Sequence, residues 1–248
     1  MQNRCAVTVV IPCYNSGATI ERAIKSVVSQ TLLPKEIIIV DDCSSDIGMK
    51  AVLEVIKDRY AHLVDIKLIY AGENGGAGTA RNIGCSEAKC EYIAFLDSDD
   101  VWHPDKLKIQ FNYMNNHRDV YFTCHHMQII GDNDSAFFRK NVSITEKDII
   151  SINPVRYLFK HYPRGGTPSI MVKKTDLKFD SGKRYSEDYL LWLEYCFHYK
   201  GVLLDAELAA AYKAIYGAGG LSANLWKIEK GEIETYSILK KKGIIGCP

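Results

Sequence analysis

Residues 6–11 read AVTVVI, an unbroken apolar and β-branched run. A strand with one wet face alternates in polarity. One that does not alternate is covered on both faces, as in a parallel sheet flanked by helices. The following residues keep to that plan. Ile20, Ile24, Val27 and Val28 recur at helical spacing, with Glu21, Arg22 and Lys25 between them. Residues 36–40 (EIIIV) predict a second strand, 49–60 (MKAVLEVIKDRY) a helix and 66–70 (IKLIY) a third strand. A helix is expected from about 79 to 88, a fourth strand at EYIAFL, and a helix over HPDKLKIQFNYM, where Pro104 sits near the first turn. Strand–helix alternation of this kind specifies an α/β fold with helices on both faces of a mainly parallel, mixed sheet.

Ligands of such sheets bind beyond the carboxyl ends of the strands. The first strand is followed by PCYN, the second by DDCSSD, the third by GENGGAG and the fourth by DSDD. Two of these four crests are carboxylate clusters, and the topology puts them on one edge. Asp97, Asp99 and Asp100 therefore project into a cleft. Carboxylates packed so closely call for a positive partner between them or for water to screen them. Hard oxygen ligands suit Mg²⁺ or Mn²⁺, with phosphate oxygens and water completing the shell. GENGGAG lacks the third glycine of a dinucleotide fingerprint and follows the wrong strand, and no P-loop spacing occurs.

Composition narrows the class. The chain has 248 residues, 47% apolar and 25% charged, with a net charge of +1, so no global field attracts nucleic acid. The 8 cysteines show no metal-ligand spacing and are expected to be reduced thiols of a cytosolic protein. No secretory signal opens the sequence, and no segment approaches the ~20 apolar residues that span a bilayer.

The second half is less regular. VYFTCHHMQII predicts a strand, on which His125 and His126 point to opposite faces and make a poor chelate. ITEKDIISINPVRYLF reads as helical with a break before Pro154, and PRGGTPSIMVKK as a loop feeding a strand. SEDYLLWLEYCFHYK predicts a helix with Ser186 as N-cap and Trp192 in the core. VLLDAELAAAYKAIYG reads as a strand and then a loop, and residues 222–242 as a helix.

The stretches VVIPCYNSGATIERAIKSVVSQTLLPKEIIIVDDCSSD, NGGAGTARNIG and EYIAFLDSDDVWHPDKL, in that order, resemble the nucleotide-sugar half of family 2 glycosyltransferases with the GT-A fold. PRGGTPSIMVKK and YSEDYLLWL are similar to the acceptor-side segment of that family. The stretch YKAIYGAGGLSAN resembles that of bacterial enzymes that assemble O-antigen and other surface polysaccharides. The resemblance implies one GT-A domain over 1–248: a nucleotide-sugar half at 1–115, an acceptor-side half at 116–220 and a C-terminal helix at 221–248.

By the same resemblance, Pro12, Tyr14 and Asp42 hold the uracil of a UDP-sugar. Asn74 to Gly76 close over base and ribose, with Arg81 and Asn82 nearby. Asp97 contacts the ribose or sugar, and Asp99, with Asp97 beside it, holds Mn²⁺ or Mg²⁺. Asp100 binds the sugar or orients its neighbours. The Glu187-Asp188 pair supplies the general base, with Asp188 the better match. Many members carry a histidine in the loop after the last strand. The sequence YKAIYGAGGLS has none, so Lys213 or Tyr216 is expected to meet the diphosphate. The implied reaction is inverting transfer of a glucose- or galactose-type hexose to a polyprenyl-diphosphate-linked oligosaccharide, forming a β-glycoside. The implied place is the cytoplasm, with peripheral contact at the inner membrane. Two other classes stand beside this reading. One is a nucleotide-sugar-binding protein without transfer activity, which would have no use for Asp188. The other is a nucleotidyltransferase, which would carry a basic glycine-rich loop directly after the first strand, where PCYNSG stands.

Overall fold

A computed structural model of the chain describes residues 4–131, 136–160, 166–212 and 224–246. Strands β1 (Arg4–Cys13), β2 (Leu33–Asp41), β3 (Asp65–Tyr70) and β4 (Tyr92–Phe95) alternate with helices α1 (Ile20–Val28), α2 (Met49–Tyr60) and α3 (Gly76–Glu87). Then come β5 (Asp100–Trp102), α4 (Lys106–Asn116), β6 (Val120–Ile129) and the short helix α5 (Ala136–Arg139). The remainder is β7 (Ile149–Ser151), α6 (Pro154–Lys160), β8 (Met171–Lys173), α7 (Glu187–His198), β9 (Lys200–Ala211) and α8 (Leu225–Lys241).

All strands join one sheet in the order β3-β2-β1-β4-β8-β6-β9-β5, with β7 paired to β9. The first four run parallel. Strand β8 is antiparallel to both β4 and β6. The unbroken apolar run of β1 is explained by two cores. Val7, Val9 and Ile11 pack with Ile20, Ile24, Leu53 and Leu107 on one face. Val10 packs on the other with Ala80, Leu190 and Leu193. Trp192 lies in that second core, its ring 5.3 Å from both Phe95 and Phe179.

Four local expectations are corrected. Helix α3 begins at Gly76, so part of the glycine-rich stretch is helix rather than loop. Asp100 opens the three-residue strand β5 and is buried, because that strand pairs with the end of β9. Residues 144–159 are not one broken helix. Thr145 and Asp148 cap a single 3-10 turn, Ile149–Ser151 pairs with β9, and helix resumes only at Pro154. Ser186 precedes α7, but its hydroxyl makes no cap; it sits at φ 56° and donates to the Ile228 carbonyl of α8.

Helix α3 approaches β1 closely because Gly84 has no side chain. A Cβ there would come within 2.5 Å of Val10 Cγ1, a stiff branched atom in the central strand. Helix propensity alone would favour Gly84→Ala by ~1 kcal/mol. Overpacking typically costs about 1–3 kcal/mol. Gly84→Ala is therefore expected to lower stability, read as an earlier guanidinium unfolding midpoint; a later midpoint would refute the close contact.

Candidate active site

The four crests meet, and hydrogen bonds stitch them together. Asn15, in the left-handed conformation after β1, receives Asp46 N on its side-chain oxygen, while its own backbone N–H donates to Ser44 Oγ. Ser16 and Ser98 hydroxyls lie 2.8 Å apart, linking the first crest to DSDD. Asp41 accepts from the hydroxyl of Ser44, so it serves its own turn.

Asp42 ties the second crest to the third. Its two carboxylate oxygens accept from Gly75 N at 2.9 Å and Gly76 N at 2.8 Å. A carboxylate at a helix start meets unpaired N–H groups and the positive end of the dipole. Gly76 adopts φ +83°, which a side chain would strain. Asn74 adds a bond from its amide to Asp42 O at 3.0 Å. The glycine-rich turn thus closes on an aspartate of this chain. Pro12 is buried beside these residues, and Tyr14 is 48% exposed at the crest.

Arg81 is the positive partner that the clustered carboxylates call for. Its guanidinium donates to Asp97 Oδ1 at 2.7 Å and, from the other nitrogen, to Glu187 Oε1 at 3.4 Å. Burial opposes its charge, but Asp97, Glu187 and Asp188 together outweigh that and hold it protonated. Gly78 makes the reach possible: a Cβ there would lie 2.8 Å from Glu187 Cγ. Burial, then the neighbouring Asp188, pushes the Glu187 carboxyl up to about 7, against the pull of Arg81. Burial likewise raises Asp97, with Arg81 pulling the other way.

Asp188 stands on the first turn of α7, half-buried. Its Oδ2 accepts from Thr167 Oγ1 and its Oδ1 from Tyr189 N, each at 2.8 Å. Asp99 is half-exposed, and its carbonyl accepts from Arg22 at 3.3 Å. Arg22 in turn lies 3.5 Å over the ring of Tyr212. Among the described residues no three His, Cys, Asp or Glu side chains converge to hold a metal ion. Asp97 and Asp99 are the hard oxygen donors of this crest that could hold a cation, and Asp97 Oδ1 is already bonded to Arg81. His125 is fully buried, and burial holds it well below the usual imidazole range, so it is neutral and structural. Lys213 and Tyr216 lie outside the described residues.

The structure thus brings together Asp42 with Asn74 and Gly76, and Arg81 with Asp97 and Glu187; Asp188 lies beside Glu187 on the same helix turn. Sequence reasoning missed Thr167 and Arg22. Thr167 sits in a turn with no periodic signal, and Arg22 reads as an ordinary charge on a helix face.

The profile of Glycosyl transferase family 2 matches residues 8–178. The chain is 32% identical over 247 residues to the UDP-Glc:alpha-D-GlcNAc-diphosphoundecaprenol beta-1,3-glucosyltransferase WfaP of Escherichia coli, covering 96% of this chain and 87% of that one. Staphylococcus aureus TarS 1–349 in complex with UDP-GlcNAc superposes with a TM-score of 0.69 at 21% identity, over 94% of this chain and 66% of that one. The mannosyltransferase PcManGT from Pyrobaculum calidifontis, in complex with GDP-Man and Mn²⁺, superposes at 0.66 and 15% identity, over 96% of this chain and 65% of that one. The chain belongs to glycosyl transferase family 2 and has the GT-A fold.

Proposed function

We propose that the chain transfers a glucose- or galactose-type hexose from a UDP-sugar to a hydroxyl of a polyprenyl-diphosphate-linked oligosaccharide. The anomeric carbon inverts and a β-glycoside forms. The observation that supports this reading is the bridge Asp97–Arg81–Glu187, which joins the DSDD crest to the helix turn that also carries Asp188. A protein that only bound nucleotide would need one side of that arrangement. The E. coli relative, named for UDP-Glc and a GlcNAc-diphosphoundecaprenol, supports the donor and acceptor classes.

Pro12, Tyr14, Asp42 and Asn74 would surround the uracil, and a carboxylate such as Asp42 has the lone pairs to accept from the base imide N–H. Asp188 takes the proton of the acceptor hydroxyl as the new C–O bond forms, because a sugar hydroxyl is far too weak an acid to ionise alone. Asp99 would hold Mn²⁺ or Mg²⁺ together with the diphosphate. Such a cation would neutralise charge growing on the departing UDP. We assign the nucleotide-sugar half to residues 1–115 and the acceptor half to 116–220. Among the described residues no helix is long and apolar enough to cross a membrane.

A panel of UDP- and GDP-sugars, scored by nucleotide release with and without Mn²⁺, tests the donor and the cation. Release is expected from UDP-glucose or UDP-galactose and is expected to vanish in excess chelator and in Asp99→Ala. Undiminished release in chelator would remove the cation from the site.

Asp188→Asn is expected to bind UDP like wild type by calorimetry while turnover falls roughly 10²–10⁴-fold. Asparagine serves a helix start about as well as aspartate, so stability should hold. Near-normal turnover would take the base role away from Asp188.

Glu187 has a different part. It is raised from the ordinary 4.5 to about 7, so between those pH values the folded chain keeps a proton that the unfolded chain has released. Stability contributed by this group is full below the lower value and is lost as pH rises through the upper one. Glu187→Gln should flatten that decline, measured by urea unfolding at several pH values across the window. An unchanged slope would show that Glu187 titrates elsewhere.

A further inference from the structure

The 3-10 turn Thr167–Ser169 is held from below by two buried side chains. The Trp102 indole Nε1 donates to Pro168 O at 2.8 Å, and the Gln110 amide donates to Ser169 O at 2.9 Å. Trp102 and Gln110 are fully buried. Trp102 ends β5, two residues after the DSDD crest, and Lys106 Nζ lies 3.6 Å from the centre of its ring. Gln110 lies on α4 and is fixed a second time by Thr123 Oγ1 at 3.1 Å. The turn therefore cannot shift without breaking bonds in the core.

From that turn the buried Thr167 hydroxyl reaches Asp188 Oδ2 at 2.8 Å. The other oxygen is held by Tyr189 N at 2.8 Å. Two directional donors, one per oxygen, fix the rotation of the carboxylate about its last bond. Each oxygen keeps a second lone pair for an acceptor hydroxyl. The backbone donor belongs to the helix of Asp188 itself and moves with it. Thr167 is the donor that refers the carboxylate to the sheet, and through Trp102 to β5, the strand that starts on the last residue of DSDD.

We propose that Thr167 is a positioning residue that orients the Asp188 carboxylate for proton removal, and that Trp102 and Gln110 hold the turn bearing it. This rests on Asp188 being the base. The bond fixes an angle rather than supplying a charge, so its loss acts on turnover and leaves nucleotide binding alone.

The test measures UDP release from UDP-glucose, with and without a synthetic N-acetylglucosaminyl diphosphoryl lipid, alongside UDP affinity and unfolding midpoint. Thr167→Val keeps the shape and removes the hydroxyl; Thr167→Ala is a second hydroxyl-free form, and Thr167→Ser restores the donor. Both hydroxyl-free variants are expected to bind UDP normally and to turn over roughly 10- to 100-fold slower, the size of a small misplacement of a reacting group. Thr167→Ser should recover most of the rate. Trp102→Phe, which lacks the indole donor, should slow turnover in the same direction. The double variant Thr167→Val/Asp188→Asn should be no slower than Asp188→Asn alone, because the hydroxyl acts through that carboxylate. Wild-type turnover in Thr167→Val, a Thr167→Ser as slow as Thr167→Val, or additive losses in the double variant would each overturn the positioning role. Asp188→Asn separates the two readings. If it is slow while Thr167→Val is normal, only the positioning role fails; if it turns over normally, the base assignment fails and the positioning role fails with it.

Discussion

The site depends on a buried guanidinium. Asp97, Glu187 and Asp188 stand close enough to repel, and Arg81 lies among them, bonded to the first two and drawn by the third. Breaking a buried ion pair by removing one member typically costs about 3–5 kcal/mol, because the other charges stay behind uncompensated. Asp97 keeps 31% of its side chain in solvent, so water would soften the loss here. The geometry matters as much as the energy. Arg81 comes from α3 and Glu187 from α7, so one side chain ties two helices that are far apart in the chain to the DSDD crest.

That reach is built from close packing. Gly84 lets α3 lie on β1, and Gly78 lets its outer face meet the start of α7. The start of α7 is in turn fastened to α8. Lys183 and Ser186 donate to the carbonyls of Gly231 and Ile228, and a Cβ on Gly231 would lie 2.7 Å from Tyr185 O. The last helix thereby backs the turn that carries Glu187 and Asp188.

Much of this was legible in the sequence. Unbroken β-branched runs mark β1 and β2 because strands buried on both faces need no alternation, and the 49–60 helix matches α2 because amphipathic spacing is a local signal. The meeting of the four crests followed from topology. What was not legible depends on distant partners. Strand β5 has three residues and exists because β9 pairs with it, over a hundred positions later. Residues 149–151 leave the helical pattern for the same reason. Ser186 has the residue type of a cap, yet its hydroxyl finds a carbonyl 42 positions away.

The strand order also shapes how the chain is made. Strands β1 to β4 are adjacent in sequence order and can pair as they leave the ribosome. Strand β4 is central in the finished sheet, between β1 and β8. Its antiparallel partner, Met171–Lys173, is not synthesised until some 80 residues later. In the nascent protein β4 is therefore an apolar edge, paired with β1 on one side and open on the other, the kind of surface that recruits other strands. Charges stand at its start: Glu91 with Arg118, and later Lys173. Arg118 is made long before β8, so an ion pair can guard that edge while the sheet waits for the strand that covers it.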